Sequence, residues 1–200
     1  MTIRHSKLED IPVMQLIFAD AKAKMRASGN MLQWTDGYPS DDVLKNDIER
    51  GFSYVVEDED GQIVATFVLA ICDDPTYKHI YEDSCKREQS RAIPDLPQQA
   101  GPCSNYAECS RGSTEGQGRW LDDEHPYGTI HRIASREGTH GVMPYVLQWA
   151  FGQIDNIRVD THRDNIPMQH LLLKHGFSYC GIIYLLNGDE RLAYQKLSDK

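Results

Sequence analysis

The chain has 200 residues, 40% of them hydrophobic and 26% charged, which is enough to bury a sizeable core as one domain over 1–200 and too short for two full ones. No run approaches the roughly 18 apolar residues that span a bilayer, and the start, Met1-Thr2-Ile3-Arg4-His5, lacks the apolar stretch of a secretory leader. The 21 basic and 30 acidic side chains give −9, which argues against a nucleic-acid surface and mildly favours a cationic substrate. Five thinly spread cysteines (Cys72, Cys85, Cys103, Cys109, Cys180) fit reduced thiols better than a disulfide frame. A cytoplasmic protein, monomeric or homodimeric, with no nucleic-acid and no membrane partner is therefore expected.

Ile3 to His5 reads as a short extended start. Asp10 is placed to cap a helix with Pro12 in its first turn, and Ile11, Met14, Phe18, Ala21 and Met25 follow at helical spacing until Ser28-Gly29-Asn30. Ser40-Asp41-Asp42 opens a shorter helix that closes at Gly51. Phe52–Glu57, the Asp58–Gly61 turn and Gln62–Cys72 form a hairpin. From about Ser84 to Gly118 the chain is polar, proline-bearing and aperiodic, a loop insertion dispensable for folding and not a domain of its own.

Gly128 to Ser135 reads as a strand, Arg136 to Gly141 as a loop, and Met143, Val146, Leu147, Ala150, Phe151 and Ile154 as the stripe of a helix. Asn156–Thr161 is another strand. Asn165 caps a helix with Pro167 in its first turn and Gly176 as its stop. Phe177–Leu185 and Arg191–Leu197, joined by Asn187-Gly188-Asp189, close the chain as a second hairpin. The strand–helix–strand–helix–strand order implies a parallel pair with a right-handed crossover inside an otherwise antiparallel sheet.

The junction after Ser135 offers two readings. A glycine-containing loop feeding a helix N-terminus presents unpaired N–H groups at the positive end of a dipole, a place for phosphate; it is also the ordinary form of a strand-to-helix turn. Neither Gly-x₄-Gly-Lys-Ser/Thr nor Gly-x-Gly-x-x-Gly occurs there.

The run from Asn165 through Leu171, Lys174, Gly176 and Phe177 matches Asn-x-x-Ala-x-x-Leu-Tyr-x-Lys-x-Gly-Phe, with Met168 for Ala and Leu172 for Tyr. On this run, on the order of elements, and on the segments His131–Ser135, Asp160–Asn165 and Tyr179–Tyr184, the chain resembles the GNAT superfamily of N-acetyltransferases, in particular a bacterial subgroup. The resemblance covers about residues 1–80 and 120–197. It implies a mixed α/β fold, a mostly antiparallel sheet with a central splayed parallel strand pair flanked by helices. It also implies an acyl-CoA-dependent N-acetyltransferase that moves an acetyl group from acetyl-CoA to an amine of a small molecule or peptide. The other reading is a non-catalytic acyl-CoA-binding or regulatory module of the same fold, favoured by Leu172, by Thr129 where many members carry glutamate, and by the loop itself. There the first motif glycine falls on Gly141, with Gly138 in the Arg/Gln position and Met143 in that of the second small residue.

Acetyl transfer to a protonated amine needs a proton acceptor, a stabiliser for the tetrahedral oxyanion and a proton for the leaving thiolate. The resemblance assigns the oxyanion to the backbone N–H of Ile133, the pantetheine arm to backbone at Ile133 and Ser135, and the pyrophosphate to Gly138, Thr139, His140, Gly141, Val142 and Met143, with Asn165 also on the cofactor side. His131 is the candidate proton acceptor, since an imidazole titrates near neutrality; its other reading is a histidine bonded across the sheet. Tyr145, Tyr179, Tyr184 or water stand as proton donors in place of the missing Tyr at Leu172. Trp34 and Tyr38 are candidate walls of the acceptor pocket, or else packing under a loop. Asp160–Asp164 reads mainly as solvated turn. No histidine or cysteine spacing supports a metal.

Overall fold

The computed structural model describes residues 1–83 and 118–198. The insertion read at about 84–118 therefore lies, Gly118 apart, outside the described residues. Seven strands form one sheet in the order β1-β2-β3-β4-β5-β7-β6. They are β1 (Thr2–His5), β2 (Ser53–Glu57), β3 (Ile63–Ala70), β4 (Gly128–Ser135), β5 (Asn156–Thr161), β6 (Ser178–Tyr184) and β7 (Glu190–Leu197). Only β4 and β5 run parallel; every other neighbouring pair is antiparallel. The helices are α1 (Ile11–Ala27), α2 (Asp41–Glu49), α3 (Val142–Phe151) and α4 (Ile166–Lys174). This is the mixed, mostly antiparallel sheet with a central parallel pair that the order of elements implies.

The apolar stripes divide the helices between the two faces of the sheet. Val146, Leu147 and Ala150 of α3 and Leu172 of α4 pack with Phe67, Leu69, Ile130, Ile157 and Val159 on one face. On the other, Ile11, Met14, Ile17 and Phe18 of α1 and Leu44 of α2 pack with Val55 and Ala134. Ser40 caps α2 by accepting from the Val43 N–H, and Asn165 caps α4 by accepting from Met168. Asp10 does not cap α1 as its sequence position suggests. Its carboxylate turns back to accept from the Lys7 N–H at 2.7 Å and to pair with Arg4 at 2.7 Å. A nearby guanidinium and the N–H of the preceding short turn outcompete the helix terminus for one small side chain.

Two features of β4 shape what lies at its end. The pairing with β5 covers only Gly128↔Ile157, Thr129↔Arg158 and Ile130↔Val159, after which the strands part. On the β3 side, Thr66 faces Ala134 but Val68 faces His131, so Phe67 stands opposite both Arg132 and Ile133. That extra residue is a bulge, and Arg132 carries its bend with φ +52°, an uncommon conformation for a side chain of this size.

Both flanks of the insertion are fastened to the sheet. Tyr81 bridges to Ile182, and Asp83 accepts from the Tyr179 hydroxyl at 2.9 Å. Trp120 donates to the Tyr77 carbonyl at 3.0 Å and stacks on the Tyr77 ring. The flanks touch: a Cβ on Gly118 would lie 2.6 Å from the Glu82 nitrogen. Replacing 84–117 with a short Gly/Ser linker is therefore expected to leave a folded protein whose Tm moves by only a few degrees, because loop-closure entropy changes slowly with length. Loss of folded protein in a circular-dichroism melt would show that the segment contributes to the core.

Candidate active site

Where β4 and β5 diverge, the molecule holds a cavity of about 980 Å³. The α1–α2 loop, the chain after β3, the β6–β7 turn and the N-terminal ends of α3 and α4 enclose it. Of the residues singled out from the sequence, His131, Ile133, Ser135, Val142, Met143, Asn165, Trp34 and Tyr38 all line it. Gly138, Thr139, His140 and Gly141 do not; they form the loop leading to α3, with Gly138, His140 and Gly141 exposed.

Gly141 occupies the N-cap of α3 with φ +75° and no side-chain cap, so the first N–H groups of the helix are left to other partners. A Cβ there would meet nothing closer than the Met1 methyl at 4.0 Å, so the space in front of this terminus is open. Ile133 follows the bulge, and neither strand ladder gives it a register partner. Asn165 has both ends of its amide engaged. Its Oδ1 accepts from Met168, and its Nδ2 donates to Gln33 Oε1 at 2.9 Å, tying α4 to the α1–α2 loop.

His131 stands between two carboxylates. Its Nε2 lies 3.4 Å from Asp74 Oδ2 and its Nδ1 3.6 Å from Asp160 Oδ1. Asp74 caps a short turn, accepting on Oδ1 from the Thr76 N–H at 2.9 Å and hydroxyl at 2.7 Å. Asp160 accepts from the buried Tyr77 hydroxyl at 2.6 Å. Burial pushes the His131 imidazolium toward losing its proton, but Asp160 and Asp74 outweigh it and raise the group above its usual 6.5. Burial would likewise raise the Asp74 carboxyl, but His131 and Thr76 hold it down to about 2. A raised histidine stabilises the fold below its unfolded value and loses that contribution as pH rises through the folded one; a depressed carboxylate does so above its unfolded value and loses it as pH falls. The stability of the native protein over a His131→Gln variant is therefore expected to be greatest between the usual 3.8 and 6.5 of the two groups, shrinking on either side in urea melts taken across pH.

The α1–α2 side of the cavity carries a second polar network. Arg132 donates to the Tyr38 hydroxyl at 2.6 Å and to buried Asp47 at 2.7 Å. Trp34 lines the cavity and also sets its ring edge-on to Phe18 with centroids 5.5 Å apart. The Asp160–Asp164 segment is not mainly solvated turn. Asp160 faces His131, and Arg163 pairs with Asp83 at 3.2 Å and Glu190 at 2.6 Å, because the segment's start belongs to strand β5, which pairs with β7 inside the sheet.

Among the candidate proton donors, Tyr179 is committed to Asp83, Tyr145 donates to the Met1 carbonyl, and Tyr184 is half-exposed beside Tyr81. None of the three lines the cavity. Leu172 is fully buried in the core. Asp74 and Tyr77 were not reached from the sequence. The only local signal is Asp74-Pro75-Thr76, which marks a capped turn and says nothing about a histidine on another strand. Among the described residues, no cluster of three His, Cys, Asp or Glu is arranged to hold a metal ion, and no helix is long and apolar enough to cross a membrane.

Against known structures, the chain is similar along its whole length to an acetyltransferase of the GNAT family from Streptococcus agalactiae. Identity is 28%, with 100% of this chain and 96% of that one covered and a TM-score of 0.67. The chain belongs to the GNAT superfamily. More distant structures share the fold. A putative acetyltransferase from Staphylococcus aureus is 20% identical over 98% of this chain and 99% of that one, with a TM-score of 0.56. A GNAT-family acetyltransferase from Listeria monocytogenes is 16% identical over 98% and 94%, with a TM-score of 0.58. No family model matches the sequence, and no curated protein does.

Proposed function

We propose that the protein is an acetyl-CoA-dependent N-acetyltransferase whose acceptor is an amine of a small molecule or peptide. The observation that carries this reading is the convergence, in one cavity at the parting of β4 and β5, of the His131 ring and the Ile133 backbone after the Arg132 bulge. Neutral His131 takes a proton from the acceptor ammonium. The free amine then attacks the thioester carbonyl, and the oxyanion forms against the Ile133 N–H. The adduct nitrogen gives up its second proton, through water, to the sulfur as collapse breaks the C–S bond, leaving the amide and the free CoA thiol, and His131 returns its proton to solvent. Ser135 backbone holds the pantetheine arm, and the open N-terminus of α3, from Gly138 through Thr139, His140 and Gly141 to Val142 and Met143, receives the pyrophosphate. Asn165 supports the cofactor side by fixing the start of α4. Trp34 and Tyr38 wall the acceptor.

The burial of Leu172 in the core keeps a second reading open, a module of the same fold that binds acyl-CoA without turnover. Thiol release from acetyl-CoA, measured with a panel of primary amines, separates the two. Amine-dependent release is expected; binding of acetyl-CoA with no release by any amine would establish the module instead.

A further inference from the structure

We propose that Asp74 and Asp160 are positioning residues that hold His131 as an imidazolium in the resting site and thereby set the pH at which it can accept the acceptor's proton. The proposal rests on the acetyltransferase reading only for its link to turnover. Its structural part stands on the geometry alone.

Both ring nitrogens of His131 face carboxylate oxygens, Nε2 toward Asp74 and Nδ1 toward Asp160. An ionised carboxylate only accepts, and a neutral imidazole has one N–H and one bare lone pair. Whichever tautomer forms, that lone pair must point at a carboxylate; only the doubly protonated ring satisfies both neighbours. Neither aspartate is free to swing away. Thr76 fixes the Oδ1 of Asp74 through two bonds and leaves Oδ2 for the histidine. Tyr77 fixes Asp160, and Tyr77 is itself fully buried and stacked on Trp120 with ring centroids 5.6 Å apart.

The remaining charges around the ring are divided. Arg132, next along β4, opposes a charged His131, although Asp47 of α2 and the Tyr38 hydroxyl engage that guanidinium. Arg191 of β7 approaches Asp160 Oδ2 at 3.9 Å. Tyr77 sets its ring edge-on to the imidazole, and the Tyr127 hydroxyl oxygen accepts from the Asp74 N–H at 3.0 Å. Asp74, His131 and Asp160 together carry one net negative charge when the ring is protonated. That charge suits an acceptor that arrives as an ammonium, and it makes the neutral, proton-accepting ring the minor form until the pH rises.

The test needs no acyl donor. In the full-length protein, histidine ring signals are titrated by NMR, and the His131 signal is assigned by its loss in His131→Gln. Its midpoint is expected above the ordinary 6.5. Asp74→Asn and Asp160→Asn, each nearly isosteric, should lower that midpoint by about one pH unit or more, the scale for losing a neighbouring opposite charge. A native midpoint at or below 6.5, or one that neither variant moves, overturns the proposal. With any amine that is acetylated, the acid limb of kcat/KM should move down with the NMR midpoint in each variant. A limb that stays while the midpoint moves would overturn the claimed link to proton acceptance. If no amine is acetylated, the acetyltransferase reading fails and the titration still decides the carboxylate–histidine arrangement.

Discussion

Replacing His131 with alanine is expected to lower kcat for acetyl transfer by about 10²–10³, the scale on which a positioned general base acts. The acetyl-CoA Kd should change little, because the groups assigned to the cofactor are backbone atoms at Ile133, Ser135 and the start of α3. The variant must be read against its fold, since alanine leaves Asp74 and Asp160 facing each other with no cation between them. Like charges in a partly buried site cost stability and draw in protons. His131→Gln keeps an amide that can donate to one carboxylate and is the cleaner comparison. The native acid limb of kcat/KM should lie above the usual histidine value, where the sequence alone suggests a limb near neutrality. The sign follows from the carboxylates: they favour the protonated ring, so activity appears only as pH rises through the elevated value. A His131→Gln protein that is folded and keeps both its turnover and that limb would assign His131 a structural role, and the proton acceptor would be another group.

Local pattern was a reliable guide wherever one side chain answers to its own element. The bounds of β4 and β5 follow from runs of β-branched and apolar residues between Gly and turn signals. Asn165 and Ser40 cap as their positions suggest because nothing nearby competes for their side-chain oxygens. Asp10 breaks the rule for a long-range reason, the arrival of Arg4 from β1. The parallel pair was legible because two strands joined through a helix must run the same way. Its parting after Ile130 was implied only by resemblance, since no local signal says where a ladder stops. The site was legible in part. His131 and Ile133 lie two apart on a strand, a spacing visible in the sequence. What surrounds His131 comes from the chain after β3 and from β5, and pairing across a sheet is set by register, which composition does not encode. Asp74 is therefore a residue that sequence reasoning lacked, although its carboxylate lies 3.4 Å from the ring of the one it found.

A negative charge at the start of α3 should weaken acetyl-CoA binding strongly. Gly141→Asp places a carboxylate at the uncapped helix terminus, in space that no protein atom fills within 4 Å except the Met1 methyl at 4.0 Å. Two unit charges about 4 Å apart repel by about 1 kcal/mol in bulk water and about 4 kcal/mol near a protein surface. The acetyl-CoA Kd is thus expected to rise by roughly 5- to 10³-fold if the pyrophosphate lies there. Strain must be separated from charge, because Gly141 sits at φ +75°. Asparagine has the same shape as aspartate and a similar tolerance of the left-handed region, so Gly141→Asn carries the strain without the charge. The decisive quantity is the ratio of the two variants' Kd values, measured by calorimetry at low and high salt. A pyrophosphate at this terminus makes the ratio large and lets added salt shrink it, since screening acts on exposed charges. Equal affinities for the two folded variants, at either salt concentration, would place the phosphates somewhere other than the start of α3.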